Sequence, residues 1–152
     1  MIYIGADHRG FKLKECLKDY LGQLGYAFED DGAFTLGVGD DYPDFALPVA
    51  LKVAENPEGN RGVLVCGSGV GVDVAANKID GVRSVLALSL EQVVASKRED
   101  DTNVLSLAAD YTGEEDAKQI MATWLNAVFS KEEKHVRRLK KVSKIEEGRK
   151  QK

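Results

Sequence analysis

Short apolar runs alternate with longer amphipathic stretches along the chain, a pattern that predicts a parallel sheet covered by helices. Residues 1–6 read as a first strand. Residues 10–24 then repeat apolar positions at helical spacing, with Phe11, Leu13, Leu17, Tyr20, Leu21 and Leu24 marking the stripe to be buried. A turn at Gly25 leads to a second strand over 27–30. Residues 31–42 hold three glycines and no periodicity, so they are expected to be a loop. Pro43 suits a first helical turn, and Phe45, Ala46, Val49, Ala50 and Val53 form the stripe of the helix that follows. The apolar run 62–66 is expected as a fully buried third strand, followed by a tight loop over 67–71 and a short helix over 72–78. A strand over 82–88, a helix over 91–99 and a strand over 104–108 come next. A helix over 113–129, with Ile120, Met121, Trp124, Leu125 and Val128 inward, precedes a last helix over about 131–147.

The length of 152 residues fits one domain over 1–152, with no repeat, low-complexity tract or linker. Hydrophobic residues at 43% and charged residues at 30% are ordinary for a soluble protein, and no apolar run approaches the roughly 20 residues that span a bilayer. The first residues enter a strand with no basic region or cleavage site, so no leader and no membrane partner are expected. The two cysteines, Cys16 and Cys66, are far apart and sit in unlike patterns. Neither a disulfide framework nor a zinc site follows, which makes a reducing cytoplasm the default location. Cys16 falls at the edge of a helix stripe and reads as a small core residue.

Charge alters the picture at one end. Residues 131–152 carry ten Lys/Arg and four Asp/Glu, a net +6, whereas the first 130 residues carry a net −10. Such a basic segment can bind nucleic acid, an anionic ligand or the acidic body of its own oligomer. No aromatic residue apart from His135 interleaves it, which argues against stacking on nucleic acid.

In a parallel sheet, ligands bind beyond the carboxyl ends of the strands. The first strand ends in Asp7-His8 and the third in Cys66-Gly67-Ser68-Gly69-Val70-Gly71, so both clusters should open on one edge. Alternating glycines let backbone N–H groups converge, and a following helix adds its positive end, a nest for a phosphate, a carboxylate or an enediolate. The loop lacks the Gly-Lys-Ser/Thr ending of a Walker loop and the spacing of a dinucleotide fingerprint. Taken alone it is equally a structural βα turn. A cysteine closing a buried strand is usually inert packing, but N–H donors at a helix start favour a thiolate, able to act as nucleophile or base. Only His8 and His135 could pair with it, and the flanking residues match no cysteine-protease pattern.

Five ordered segments carry a resemblance over nearly the whole chain. They are 5–14 (Gly-Ala-Asp-His-Arg-Gly-Phe-Lys-Leu-Lys), 41–46 (Asp-Tyr-Pro-Asp-Phe-Ala), 66–71, 75–78 (Ala-Ala-Asn-Lys) and 101–105 (Asp-Thr-Asn-Val-Leu). Together they resemble the family of type B ribose-5-phosphate isomerase and galactose-6-phosphate isomerase. The resemblance implies a Rossmann-like three-layer α/β/α fold with a five-stranded parallel sheet and a C-terminal helix. It also implies a homodimer or tetramer with shared sites, and aldose–ketose isomerisation of a sugar phosphate through a cis-enediolate, without metal or organic cofactor. Carried over, Cys66 is the base moving a proton between C1 and C2. Ser68 and the amides of Gly67, Gly69, Val70 and Gly71 would hold the enediolate oxygens. Asp7 and His8 would contact the sugar and Tyr42 would line the pocket.

The departures lie in substrate recognition. Glu99 stands where the family usually has a ring-opening histidine, and Asp100 where an asparagine follows. Asp110 replaces a phosphate-binding arginine after the fifth strand, and the terminal Arg-His-Arg cluster survives as Lys134, His135 and Arg138. Glu99 is expected to serve in ring opening if burial beside Asp100 and Asp101 raises its pKa. Asp110 is expected to repel a phosphate and make ribose 5-phosphate a poor substrate. Glu99 and Asp100 precede the fifth strand, at the opposite edge from Cys66, so a complete site would need the partner subunit's copies. A non-catalytic sugar- or anion-binding paralogue and a flavodoxin-like or nucleotide-binding module are the competing readings. Cys66 separates them, because only the isomerase requires its thiolate.

Overall fold

Five short runs pair as strands: β1 (Ile2–Ala6), β2 (Phe28–Asp30), β3 (Arg61–Cys66), β4 (Ser84–Leu86) and β5 (Val104–Ala108). In the computed structural model, which describes residues 1–149, they form a parallel sheet in the order β2-β1-β3-β5-β4. Residues 150–152, the end of the basic segment, lie outside the described residues. The helices are α1 (Phe11–Gln23), α2 (Pro43–Glu55), α3 (Val70–Ala76), α4 (Leu90–Asp100), α5 (Glu114–Asn126) and α6 (Glu133–Arg149). This is the α/β, Rossmann-like arrangement that the pattern and the resemblance predict.

Side chains alternate across the strands, so the sheet buries two faces. Ile2, Ile4, Ala6, Val63, Val65, Leu105 and Leu107 pack with Leu13, Leu17 and Leu21 of α1, Val93 of α4 and Ile120, Met121 and Trp124 of α5. On the other face Leu64, Cys66 and Val104 lie under α2 and α3, against Ala46, Val49, Ala50, Val53, Val72 and Ala76. Each large apolar side chain buried this way contributes roughly 1.5–3 kcal/mol. Burial on both faces is why β3 and β5 read as continuous apolar runs.

The edges differ from expectation. β4 spans three residues rather than seven, because its ladder with β5 runs only from Ser84 to Leu86. Val128, expected inward, is 75% exposed, since α5 ends at Asn126 and the chain leaves it extended at Ala127. Leu24 is likewise exposed, as the residue closing α1. Two of the resembling segments act as scaffold. The Asn77 side chain accepts from Ser84 N–H at 2.9 Å and donates to the Asp73 and Ser84 carbonyls, tying α3 to β4. Buried Asn103 donates to the Gly81 carbonyl and accepts from Arg83 N–H, while Thr102 Oγ1 accepts from Trp124 Nε1 at 3.0 Å. Among the described residues, no helix is long and apolar enough to cross a membrane.

Candidate active site

The strand order reverses direction between β1 and β3, which opens a crevice at their carboxyl ends. Residues 7–10 leave β1 and residues 67–71 leave β3 at this edge. Register brings Ala6 beside Val65 and Cys66 beside Ala108, so the ends of β1, β3 and β5 form one platform.

Cys66 is buried at 4% exposure and carries a free thiol. Gly69 N–H donates to its Sγ at 3.2 Å. Gly69 has φ +73° and is the N-cap of α3, which therefore begins at Val70, two residues earlier than expected. A Cβ there would lie 2.5 Å from Leu86 Cδ1 and 3.0 Å from the Leu107 backbone, so both conformation and space require glycine. The Gly69 amide is thus committed to the sulfur rather than to an enediolate oxygen. Ser68 and Val70 are exposed at the loop tip, and a Cβ at Gly71 would fall 2.9 Å from the Tyr42 ring. Tyr42, partly exposed at the start of α2, accordingly lies flat on the glycine loop.

Asp7 is buried and accepts from Gly10 N–H at 2.9 Å, shaping the turn into α1. His8 is held by a residue that sequence reasoning left in an unpatterned loop. Asp40 Oδ1 lies 2.5 Å from His8 Nδ1 and also accepts from the His8 backbone N–H at 2.9 Å. With Nδ1–H donating to Asp40, Nε2 is the ring atom left for a ligand. The loop that carries Asp40 is anchored where Gly32 and Ala33 continue the hydrogen bonding of β1 through Ala6.

Asp110 corrects the charge expectation. Its Oδ2 accepts from Arg9 Nη2, so the carboxylate is paired within the chain rather than presented bare to a ligand. The Arg9 side chain crosses β3 to reach it, and a Cβ at Gly67 would fall 2.2 Å from Arg9 Cζ. Arg9 belongs to a segment that sequence reasoning singled out without giving this residue a role. Its place directly after Asp7-His8 was the available signal.

The remaining candidates lie elsewhere in the chain. Glu99 and Asp100 end α4, just before β5, and so sit a strand length of about 17 Å from the Cys66 edge. Glu99 is more than a third exposed and bonds Arg98 Nη2 at 2.6 Å. That bond holds its carboxyl below the usual carboxylate range, with His135 and Lys134 adding smaller effects. The expectation of a raised pKa is therefore overturned: Arg98 is the closer partner, and burial is too slight to oppose it. His135 is buried, its Nδ1 2.7 Å from Ser130 Oγ. Lys134 pairs with Glu132 at 3.1 Å, and Arg138 is exposed on α6. One chain thus brings together Asp7, His8, Tyr42, Cys66 and the 67–71 loop, and a second group, Glu99, Asp100, Lys134 and His135, at the far edge. Cys16 is only half-buried, with Sγ 3.7 Å from Glu114 Oε2; burial, with Glu114 beside it, pushes that thiol up. Among the described residues no cluster of three His, Cys, Asp or Glu side chains could hold a metal ion.

Comparisons with known proteins agree with this fold. The family model described as Ribose/Galactose Isomerase matches residues 2–142. Ribose-5-phosphate isomerase B of Escherichia coli is 37% identical over 148 residues, 97% of each chain. The crystal structure of ribose-5-phosphate isomerase B from Mycoplasma genitalium with bound ribulose 5-phosphate superposes with a TM-score of 0.93. It is 36% identical, over 96% of this chain and 95% of that one. The type B ribose 5-phosphate isomerase of Trypanosoma cruzi gives a TM-score of 0.90 at 40% identity, over 97% and 98% of the two chains. The family-model match over residues 2–142, with relatives 36–40% identical along almost their full length, places the chain in the ribose/galactose isomerase family.

Proposed function

We propose that this protein is an aldose–ketose isomerase interconverting ribose 5-phosphate and ribulose 5-phosphate. The observation that carries the reading is Cys66, buried at the end of β3 with Gly69 N–H on its sulfur, inside a chain that belongs to this family. The M. genitalium relative was crystallised with ribulose 5-phosphate, which favours a pentose phosphate over a hexose phosphate.

In the proposed reaction the open-chain aldose places C2 at Cys66. The thiolate takes the C2 proton, the electron pair forms the C1–C2 double bond, and the O1 oxyanion of the enediolate develops as the C1 carbonyl opens. A proton then passes from O2 to O1, the O2 electron pair forms the C2 carbonyl, and the opening C1–C2 double bond takes the proton back from sulfur at C1, giving the ketose and restoring the thiolate. Ser68 and the amides of Gly67, Val70 and Gly71 supply donors for the enediolate oxygens, a preorganised electrostatic role. His8 Nε2, oriented by Asp40, and Asp7 contact sugar hydroxyls, and Tyr42 closes one wall.

The second group completes the site from a partner subunit. A homodimer would bring Glu99, Asp100, Lys134, His135 and Arg138 of one copy toward Cys66 of the other. Exposed apolar side chains support such an assembly: Val70 and Val74 on α3 are about half exposed, and Ile145 on α6 is 66% exposed. A reducing, cytoplasmic location accords with a reaction that depends on a free thiol.

The test is steady-state turnover of purified protein on pentose and hexose phosphates, with solution mass measured in parallel by light scattering. Conversion of ribose 5-phosphate with kcat/KM of about 10⁴ M⁻¹s⁻¹ or more and a mass of two or more chains are expected. An absence of turnover, or full activity in a monomer, would refute the corresponding part of the reading.

A further inference from the structure

Arg9 stands out from the other strand-end residues because no step above uses it, although it lies directly on the glycine loop. It leaves β1, its guanidinium covers Gly67, and Nη2 donates to Asp110 beyond β5. The side chain therefore spans the ends of three neighbouring strands, next to Cys66. Gly67 is required for this placement, since a Cβ would occupy the space of the guanidinium. Asp110 is itself fixed from below, its backbone N–H donating to the Gly67 carbonyl at 3.0 Å. Arg9 remains about half exposed on the rim of the crevice. A guanidinium has five N–H donors in a planar fork, so one carboxylate contact leaves others for a second oxyanion. The same rim is otherwise acidic, with Asp7, Asp40 and Asp110 at the strand ends and loop.

From this geometry we infer that Arg9 binds the phosphate of the substrate and that Asp110 is its positioning residue. Resting on the isomerase reading above, the inference assigns the phosphate contact of that site. The negative charge after β5 then orients a cation instead of repelling the ligand. The chemical class recognised is a dianionic monophosphate ester, whose oxygens suit a planar donor fork.

The experiment compares wild type, Arg9→Ala, Arg9→Lys, Asp110→Asn and the double variant Arg9→Ala/Asp110→Asn. Each is assayed on ribose 5-phosphate and on free ribose, and titrated calorimetrically with ribose 5-phosphate and with inorganic phosphate. Loss of one charge-assisted contact should raise KM and Kd for ribose 5-phosphate about 10- to 100-fold in Arg9→Ala. Turnover number and any activity on free ribose should stay within a few-fold of wild type. Arg9→Lys should recover part of the loss, Asp110→Asn should weaken binding less than Arg9→Ala, and the double variant should add little to Arg9→Ala. A merely structural ion pair would lower the melting temperature and affect ribose and ribose 5-phosphate alike. That result overturns the inference, as does tighter phosphate binding in Asp110→Asn. If wild type turns over no sugar, the isomerase reading fails on its own, and the calorimetric arm still decides Arg9. Wild type binding neither phosphate ligand overturns the inference as well.

Discussion

Two thiols in one chain show how residue surroundings divide roles. Cys16 faces the Glu114 carboxylate, and burial together with that neighbour makes ionisation harder. Cys66 instead meets a backbone N–H from a glycine that the loop holds at positive φ, which sets a hydrogen-bond donor on its sulfur. The carboxylates divide in the same way: Asp40 orients His8, Asp110 holds Arg9, and Glu99 is tied to Arg98. Arg98 holds Glu99 below the usual carboxylate range, which favours its ionised form in the single chain. An ionised Glu99 would accept a proton in ring opening rather than donate one. Glu99→Gln should consequently leave the shape of the kcat/KM–pH profile unchanged between pH 5 and 8. Loss of a titrating limb in that variant would show that the carboxyl changes state during the reaction.

At the scale of elements, the site depends on how β1, α1 and β2 are tied together. Lys14 is fully buried on α1 and places Nζ 2.7 Å from both oxygens of Asp30 at the end of β2. Lys18 reaches the same carboxylate at 2.6 Å, and Gly32 N–H donates to it at 2.9 Å. Lys14 Nζ also lies 5.9 Å from the centroid of Phe34, in the loop that carries Asp40. Burial alone would raise the Asp30 pKa, but the bonds from Lys14, Lys18 and Gly32 outweigh it and hold the group low. A lowered folded-state pKa stabilises the fold above the ordinary aspartate range, and that stabilisation is lost as pH falls through the lowered value. Asp30→Asn leaves the buried Lys14 ammonium with Glu15, 3.1 Å away, as its one ion-pair partner among the described residues. It should cost about 3 kcal/mol, or roughly 6–12 °C in melting temperature at pH 7. The gap to wild type should narrow in acid; a gap independent of pH would mean that the pair contributes nothing.

These elements also mark what the sequence could and could not convey. The buried strands β3 and β5 and the stripes of α1, α2 and α5 were legible because central burial leaves a periodic apolar imprint. The short edges β2 and β4 were harder to delimit, since partly exposed strands take mixed residues. Cys66, the glycine loop, Asp7 and His8 could be placed on one edge from strand order alone. Arg9–Asp110 and His8–Asp40 could not, because each joins residues that are far apart in sequence across an edge without periodicity.

For the whole molecule, the division of charge and the division of the site point the same way. The Cys66 crevice is bordered by carboxylates, while the basic α6 begins at the opposite edge beside Glu99. A two-fold assembly of the kind proposed would join the two groups at both ends. In the proposed reaction the chemistry converges on one atom, the Cys66 sulfur, to which the proton transfer is assigned. The most direct test of the account is therefore the turnover number of Cys66→Ala on ribose 5-phosphate, with melting temperature and solution mass confirmed equal to wild type. The prediction is a loss of at least about 10²- to 10⁴-fold; turnover within a few-fold of wild type would contradict it.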